Sequence, residues 1–126
     1  MTESLKLLII DDNEVILEIL DSFLSLQKYD LVTASTGFEG INLFNADVDS
    51  FDLVITDLIM PDISGVGVIT MLKKKRPDIP IIAITGYGKH PELLATEAKA
   101  DVVLEKPINL KMLNNYIISL VDKVKS

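Results

Sequence analysis

Leu7-Leu8-Ile9-Ile10-Asp11-Asp12 reads as a strand that ends in two carboxylates. The run is short, apolar and β-branched toward its end, the pattern of a strand buried on both faces of a parallel sheet. The arrangement recurs in Leu53-Val54-Ile55-Thr56-Asp57, in Ile81-Ile82-Ala83-Ile84-Thr85-Gly86 and in Val102-Val103-Leu104-Glu105-Lys106-Pro107. Each apolar run stops at a polar or charged side chain. If these runs are neighbouring parallel strands, their C-terminal ends lie along one edge of one sheet. Asp11, Asp12, Asp57, Thr85 and Lys106 then meet in a single pocket that joins three carboxylates, a hydroxyl and an ammonium.

The segments between the runs carry helical spacing. Over Asn13–Leu26 the apolar residues Val15, Ile16, Ile19, Leu20, Phe23 and Leu24 recur at helical intervals. Leu31–Ala34 is a further short strand. Thr36-Gly37 reads as a turn, and Phe38, Ile41 and Phe44 form the apolar face of the helix after it. Ser64–Lys75 is helical despite Gly65 and Gly67, which lower its propensity. Pro91–Lys99 suits a short helix with proline in its first turn. Asn109–Val124 is the last helix, with Leu110, Leu113, Tyr116, Ile117, Leu120, Val121 and Val124 apolar. Strict alternation of strand and helix predicts an α/β fold of five βα units, a doubly wound parallel sheet with helices on both faces. No linker, repeat or low-complexity stretch interrupts it, so residues 1–126 read as a single domain.

The bulk numbers narrow the function. A chain of 126 residues suffices for one domain that buries roughly two thirds of its unfolded surface. No cysteine is present, and one histidine excludes a histidine-rich metal site within a single chain. No apolar run approaches the ~18 residues that span a membrane, and no signal pattern opens the chain, so the expected location is the cytoplasm. The net charge of −7 argues against nonspecific nucleic-acid binding. The one basic run, Lys73-Lys74-Lys75-Arg76, is expected as the solvated last turn of a helix, where cations complement the dipole and Pro77 ends the run.

Taken singly, each polar strand end has an ordinary explanation: Asp11-Asp12 as a helix cap, Asp57 and Thr85-Gly86 as turn residues, Lys106 as a surface lysine. Together they form a site. Carboxylates about 4 Å apart repel by roughly 1 to 4 kcal/mol per pair at surface-like dielectrics, so three of them need cations nearby. Lys106 supplies one. An all-oxygen set with room for waters suits Mg²⁺, with Mn²⁺ as a substitute.

These motifs carry a resemblance over the whole length. The acidic pair Asp11-Asp12, Asp57, Met60-Pro61-Asp62-Ile63-Ser64-Gly65, Thr85 and Lys106-Pro107 resemble the response-regulator receiver domain of two-component signalling. The resemblance implies a flavodoxin-like sheet of strand order 2-1-3-4-5. It also implies that Asp57 is the phosphoacceptor, modified from the phosphohistidine of a histidine kinase or phosphotransfer protein. By the same resemblance Asp12, Asp57 and the backbone carbonyl of Ile59 ligate Mg²⁺, with Asp11 acting through a bound water. Lys106 acts as a point charge on the phosphoryl group, Thr85 donates its hydroxyl to it, and the bond before Pro107 is cis. Such a domain is a signalling phosphoacceptor rather than a metabolic enzyme. Its output passes to a downstream protein partner through the face formed by the fourth helix, fifth strand and fifth helix. That face is also compatible with homodimerisation, and the first helix near Glu14, Val15 and Glu18 is implied as the kinase-docking surface.

Some positions depart from the family. Val103, three residues before Lys106, occupies the place of the usual switch aromatic, and Tyr87 is the candidate to take over part of its role. Lys99-Ala100 stands where Gly-Ala is common, so the end of the fourth helix is expected to be differently shaped or looser. Ile59 and Tyr87 are both bulky, and neither orients a water, which predicts slow loss of the phosphoryl group. His90, before Pro91, is expected on the surface rather than as a relay histidine. Phe23, Phe38 and Phe44 are expected in the core. Two readings from other classes have weaker sequence support. A flavodoxin-type electron carrier needs a Ser/Thr/Gly-rich phosphate loop where Asp11-Asp12 stands. A Mg²⁺-dependent aspartyl phosphatase usually needs an Asp-x-Asp pattern after the first strand.

Overall fold

Five parallel strands in the order β2-β1-β3-β4-β5 form the sheet in a computed structural model that describes residues 4–86 and 99–125, with the backbone alone at 124–125. In chain order the elements are β1 (Lys6–Ile10), α1 (Glu14–Leu26), β2 (Asp30–Ala34), α2 (Gly37–Ala46), a 3-10 turn (Val48–Ser50), β3 (Leu53–Asp57), α3 (Gly65–Lys75), β4 (Ile81–Thr85), β5 (Val102–Glu105) and a C-terminal helix (Leu110–Lys125). This is the predicted sheet and order. The expected helix over Pro91–Lys99 lies outside the described residues except for Lys99, as do Tyr87 and His90.

Alternation along the strands divides the core. Leu8, Ile10 and Val54 face Ile41 and Phe44 of α2 and Val68, Ile69 and Leu72 of α3. Leu7, Ile9, Leu53 and Ile55 face Leu20 and Leu24 of α1 and Leu113, Ile117 and Val121 of the C-terminal helix. The central strands β1 and β3 are therefore buried on both faces, which is why their sequences read as unbroken apolar runs.

Helix starts follow their caps. Asn13 Oδ1 accepts from the Val15 and Ile16 N–H groups, so α1 begins one residue after its expected start. Thr36 is the N-cap of α2, its Oγ1 accepting from Glu39 N–H, while the Glu39 carboxylate accepts from Ser35 N–H. Thr36-Gly37 is thus a helix start rather than a free-standing turn. Phe44 is fully buried, whereas Phe38 is 52% exposed and stands outside the core expected for it. Val15 and Ile19 of α1 are exposed as well. Helical spacing gives the apolar stripe, but the width of the stripe that the sheet covers is a tertiary matter.

The basic run is not simply solvated. Lys73 Nζ donates to Ile79 O at 2.6 Å and to Asp101 Oδ2 at 3.0 Å. Arg76 donates to the backbone carbonyls of Val48 and Phe51. Lys99 adopts a left-handed backbone, φ 79°, without the glycine that suits it, while the helix end expected before it lies outside the described residues.

Candidate functional site

Strand register sets the level of each polar end. Ile10 pairs with Thr56, so Asp11 and Asp57 leave neighbouring strands side by side. Asp57 pairs with Ile84, and Thr85 with Glu105, which places Thr85 and Lys106 just beyond. Backbone bonds continue the ladder past the strands: Asp11 N–H to Ala34 O at 3.1 Å, Leu58 N–H to Ile84 O at 3.0 Å and Lys106 N–H to Thr85 O at 2.8 Å. The Lys106–Pro107 peptide bond is cis.

Carboxylate oxygens of Asp11, Asp12 and Asp57 all lie within 4.8 Å of one another. Asp11 is 1% exposed and Asp57 5%, while Asp12 is open to solvent. Lys106 Nζ sits 3.5 Å from Asp57 Oδ2 and 3.8 Å from Asp11 Oδ2. Asp11 Oδ1 accepts from Asn13 N–H at 2.9 Å, but Asp11 Oδ2 is buried with no hydrogen-bond partner. Burial pushes the Asp11 carboxyl up from 3.8 to about 6; the Asn13 N–H and Lys106 oppose this, and Asp57 and Asp12 add repulsion. Asp57 is pushed up too, first by burial, against the charge of Lys106 and the N–H groups of Ile59 and Leu58. Thr85 is 5% exposed, and its hydroxyl donates to Gly86 O at a long 3.3 Å. Among the described residues, three carboxylates thus cluster with one ammonium, which pairs with two of them, and one carboxylate has a buried oxygen without a hydrogen bond. A hard divalent cation fits this donor set: it takes oxygen ligands, satisfies that oxygen and removes the charge surplus.

The comparisons with known proteins agree on one family. Residues 7–118 match the family model for the response regulator receiver domain. This chain belongs to the response regulator receiver domain family. Receiver domains are the phosphoacceptor modules of two-component signalling, and the fold and acidic pocket described above suit that function. The receiver domain is 33% identical to a receiver domain protein of Clostridium thermocellum whose crystal structure superposes with a TM-score of 0.91, covering 96% of this chain and 97% of that one. A CheY-like receiver domain protein of Methanospirillum hungatei is 28% identical at a TM-score of 0.88, covering 98% of each. Among curated relatives, the protein named "Probable transcriptional regulator ycf27" of Guillardia theta is 39% identical over 89% of this chain and 43% of its own length. Response regulator SaeR of Staphylococcus aureus is 29% identical over 94% of this chain and 51% of its own. The chain spans about half the length of these relatives or less.

Asp11, Asp12, Asp57 and Lys106 converge in this receiver domain, and Thr85 is buried at the end of the adjacent strand β4. The side chain of Ile59 is 64% exposed at the rim, and Val103 is half-buried against the α2–α3 side of the core. In the sequence Asp62 stands out only as part of the Met60–Gly65 motif. Its carboxylate accepts from Gly37 N–H at 3.1 Å and Phe38 N–H at 2.9 Å, across to the start of α2. These bonds, Phe38's first, hold the Asp62 carboxyl below the usual range. A partner 25 residues away in sequence leaves no local signal that could have revealed it. Gly65, which weakens α3's propensity, has a local reason: a Cβ there would lie 2.2 Å from Asp57 O.

Proposed function

We propose that Asp57 is the phosphoacceptor of this receiver domain, taking a phosphoryl group from the phosphohistidine of a histidine kinase or phosphotransfer protein. The observation that carries this is a nearly buried carboxylate at a sheet edge, grouped with two further carboxylates and 3.5 Å from a lysine ammonium. An Asp57 carboxylate oxygen bonds to phosphorus as the phosphorus–nitrogen bond to the donor imidazole breaks, and the imidazole leaves with its electron pair and takes up a proton. Asp12, Asp57 and the Ile59 carbonyl would hold Mg²⁺, with Mn²⁺ as a substitute and Asp11 acting through a water, and the ion would supply charge neutralisation on the phosphoryl oxygens. Lys106 offsets the charge of Asp57 and the incoming group. Thr85 turns its weakly held hydroxyl to a phosphoryl oxygen, drawing in the strand end after β4.

That movement biases a two-state equilibrium on the face of the fourth helix, β5 and the C-terminal helix, which a protein partner reads and where a second copy can dock. With Val103 in the aromatic's place, Tyr87 takes a share of that switch. We place the domain, residues 1–126, in the cytoplasm, with no membrane or direct nucleic-acid contact of its own. It catalyses its own modification without turning over a metabolite. Acetyl phosphate with Mg²⁺ tests this: intact-mass spectrometry should show one stable phosphoryl group, absent from Asp57→Asn and absent in EDTA. Continuous phosphate release, or labelling that survives Asp57→Asn, would refute it.

A further inference from the structure

We propose that Asp62 is a positioning residue for the phosphoacceptor site: by bonding the first amides of α2, it clamps the loop that follows Asp57 and holds Ile59 in register with the three carboxylates. The inference rests on the assignment of Asp57 and of the Ile59 carbonyl made above.

The loop between β3 and α3 is fixed at few points. At its start Leu58 N–H bonds Ile84 O at 3.0 Å, and Gly65 N–H closes back on Leu58 O at 2.8 Å. Met60 is buried under it, and Pro61 restricts its own φ. Ile59 itself has an exposed side chain that anchors nothing, although its N–H faces the Asp57 carboxylate. The far anchor of Ile59-Met60-Pro61 is therefore the Asp62 carboxylate on Gly37 and Phe38 N–H. Ile63 tightens the same seam, because a Cβ at Gly37 would lie 2.2 Å from Ile63 Cγ2. Only a glycine there lets α2 come this close to the loop.

Asp62 caps the first two amides of α2 from another loop, while the neighbouring amides have local partners. Thr36 Oγ1 and Thr36 O already serve Glu39 and Gly40 N–H, and Glu39 serves Ser35 N–H in return. That local box is the usual solution for a helix start. Asp62 adds a pair of charge-assisted bonds from a different loop, a cross-link between α2 and the site. Without it, the loop beyond Ile59 keeps the packing of Met60 but loses its charge-assisted anchor, and the Ile59 carbonyl samples positions away from the carboxylates.

The test compares two ways of weakening the same helix end. Mg²⁺ binding is measured by calorimetry on wild type, Asp62→Ala, Asp62→Asn and Thr36→Ala, alongside melting in EDTA and phosphorylation by acetyl phosphate across Mg²⁺ concentrations. Asp62→Ala is expected to raise the Mg²⁺ Kd about 3- to 10-fold, the loss of one charge-assisted bonding pair. The Mg²⁺ concentration for half-maximal phosphorylation rises with it, while the saturating rate changes little. Asp62→Asn, which keeps one acceptor oxygen, falls between. Thr36→Ala lowers the melting temperature but leaves the Mg²⁺ Kd within about two-fold of wild type. The inference is overturned if Asp62→Ala binds Mg²⁺ like wild type, or if Thr36→Ala weakens binding as much. If Asp62→Ala does not fold, Asp62→Asn decides on the same criterion. A wild-type protein that binds Mg²⁺ normally while Asp62 proves indifferent sinks this inference alone, whereas a wild type that binds none overturns it together with the assignment of the site.

Discussion

At the N-terminal ends of the strands, Lys73 bonds Ile79 O and Asp101, Arg76 bonds two backbone carbonyls, and Asp101 accepts from Ile81 N–H at 2.8 Å. At the C-terminal ends of the same strands, Asp11, Asp12 and Asp57 cluster, Lys106 pairs with Asp11 and Asp57, and Asp11 Oδ2 is left buried without a hydrogen bond. One edge uses charge to tie chain segments together. The other keeps an excess of negative charge that the folded protein alone does not satisfy. The difference separates residues held for stability from residues held for a ligand, because an uncompensated buried oxygen is retained only at a cost.

The largest expected effect lies at the unsatisfied edge. Asp11 has a folded-state pKa near 6 against 3.8 unfolded, so the folded state binds its proton more tightly. The stability this contributes is fully present below pH 3.8 and lost as the pH rises through about 6. At pH 7 without metal the charged Asp11 therefore costs on the order of 3 kcal/mol. Asp11→Asn should stabilise the metal-free protein by about 1 to 3 kcal/mol at pH 7 and by much less near pH 4, while weakening Mg²⁺ binding. Urea denaturation in EDTA at both pH values measures the first, and calorimetry the second. Equal stability changes at the two pH values would remove the contrast between the edges.

Lys73→Met should do the reverse. It leaves Ile79 O and Asp101 short of a donor and should cost about 1 to 3 kcal/mol, with the phosphorylation rate unchanged. A variant that melts normally but phosphorylates slowly would break the division of labour between the edges.

A smaller effect is expected at the rim of the site. Ile59→Asn combined with Tyr87→Glu should accelerate aspartyl-phosphate decay by roughly 10-fold, about 1.4 kcal/mol of barrier, by admitting and orienting water. Decay followed in Mg²⁺ at an unchanged rate would show that bulk at these positions does not shield the phosphoryl group.

The smallest lies away from both edges. Lys28 ends α1 at φ 67°, with Lys28 N–H on Ser25 O and Tyr29 N–H on Leu24 O, the bonding of a glycine-type helix cap. Lys28→Gly should stabilise the fold by about 1 kcal/mol and leave Mg²⁺ binding alone. A loss of stability would mean that the lysine stem contributes more than its strained backbone costs.

The parallel sheet, the two-sided burial of β1 and β3 and the meeting of Asp11, Asp57 and Lys106 were legible because period and alternation are local signals, and parallel connection puts all C-terminal ends on one edge, whereas the strand order followed from the family resemblance. Helix starts shifted by a residue wherever a cap decided them, as at Asn13 and Thr36. Phe38 reads as core from its spacing, but its exposure depends on how far the sheet extends over α2. The roles of Lys73 and Arg76 were hidden in a basic run because their partners, Ile79 O, Asp101, Val48 O and Phe51 O, are backbone or distant groups. Asp62 was invisible for the same reason. Which residues carry charge at the strand ends was written in the chain, since that follows from where apolar runs stop. Which of those charges are satisfied is settled by the fold, because satisfaction depends on backbone groups that packing alone brings within hydrogen-bond reach.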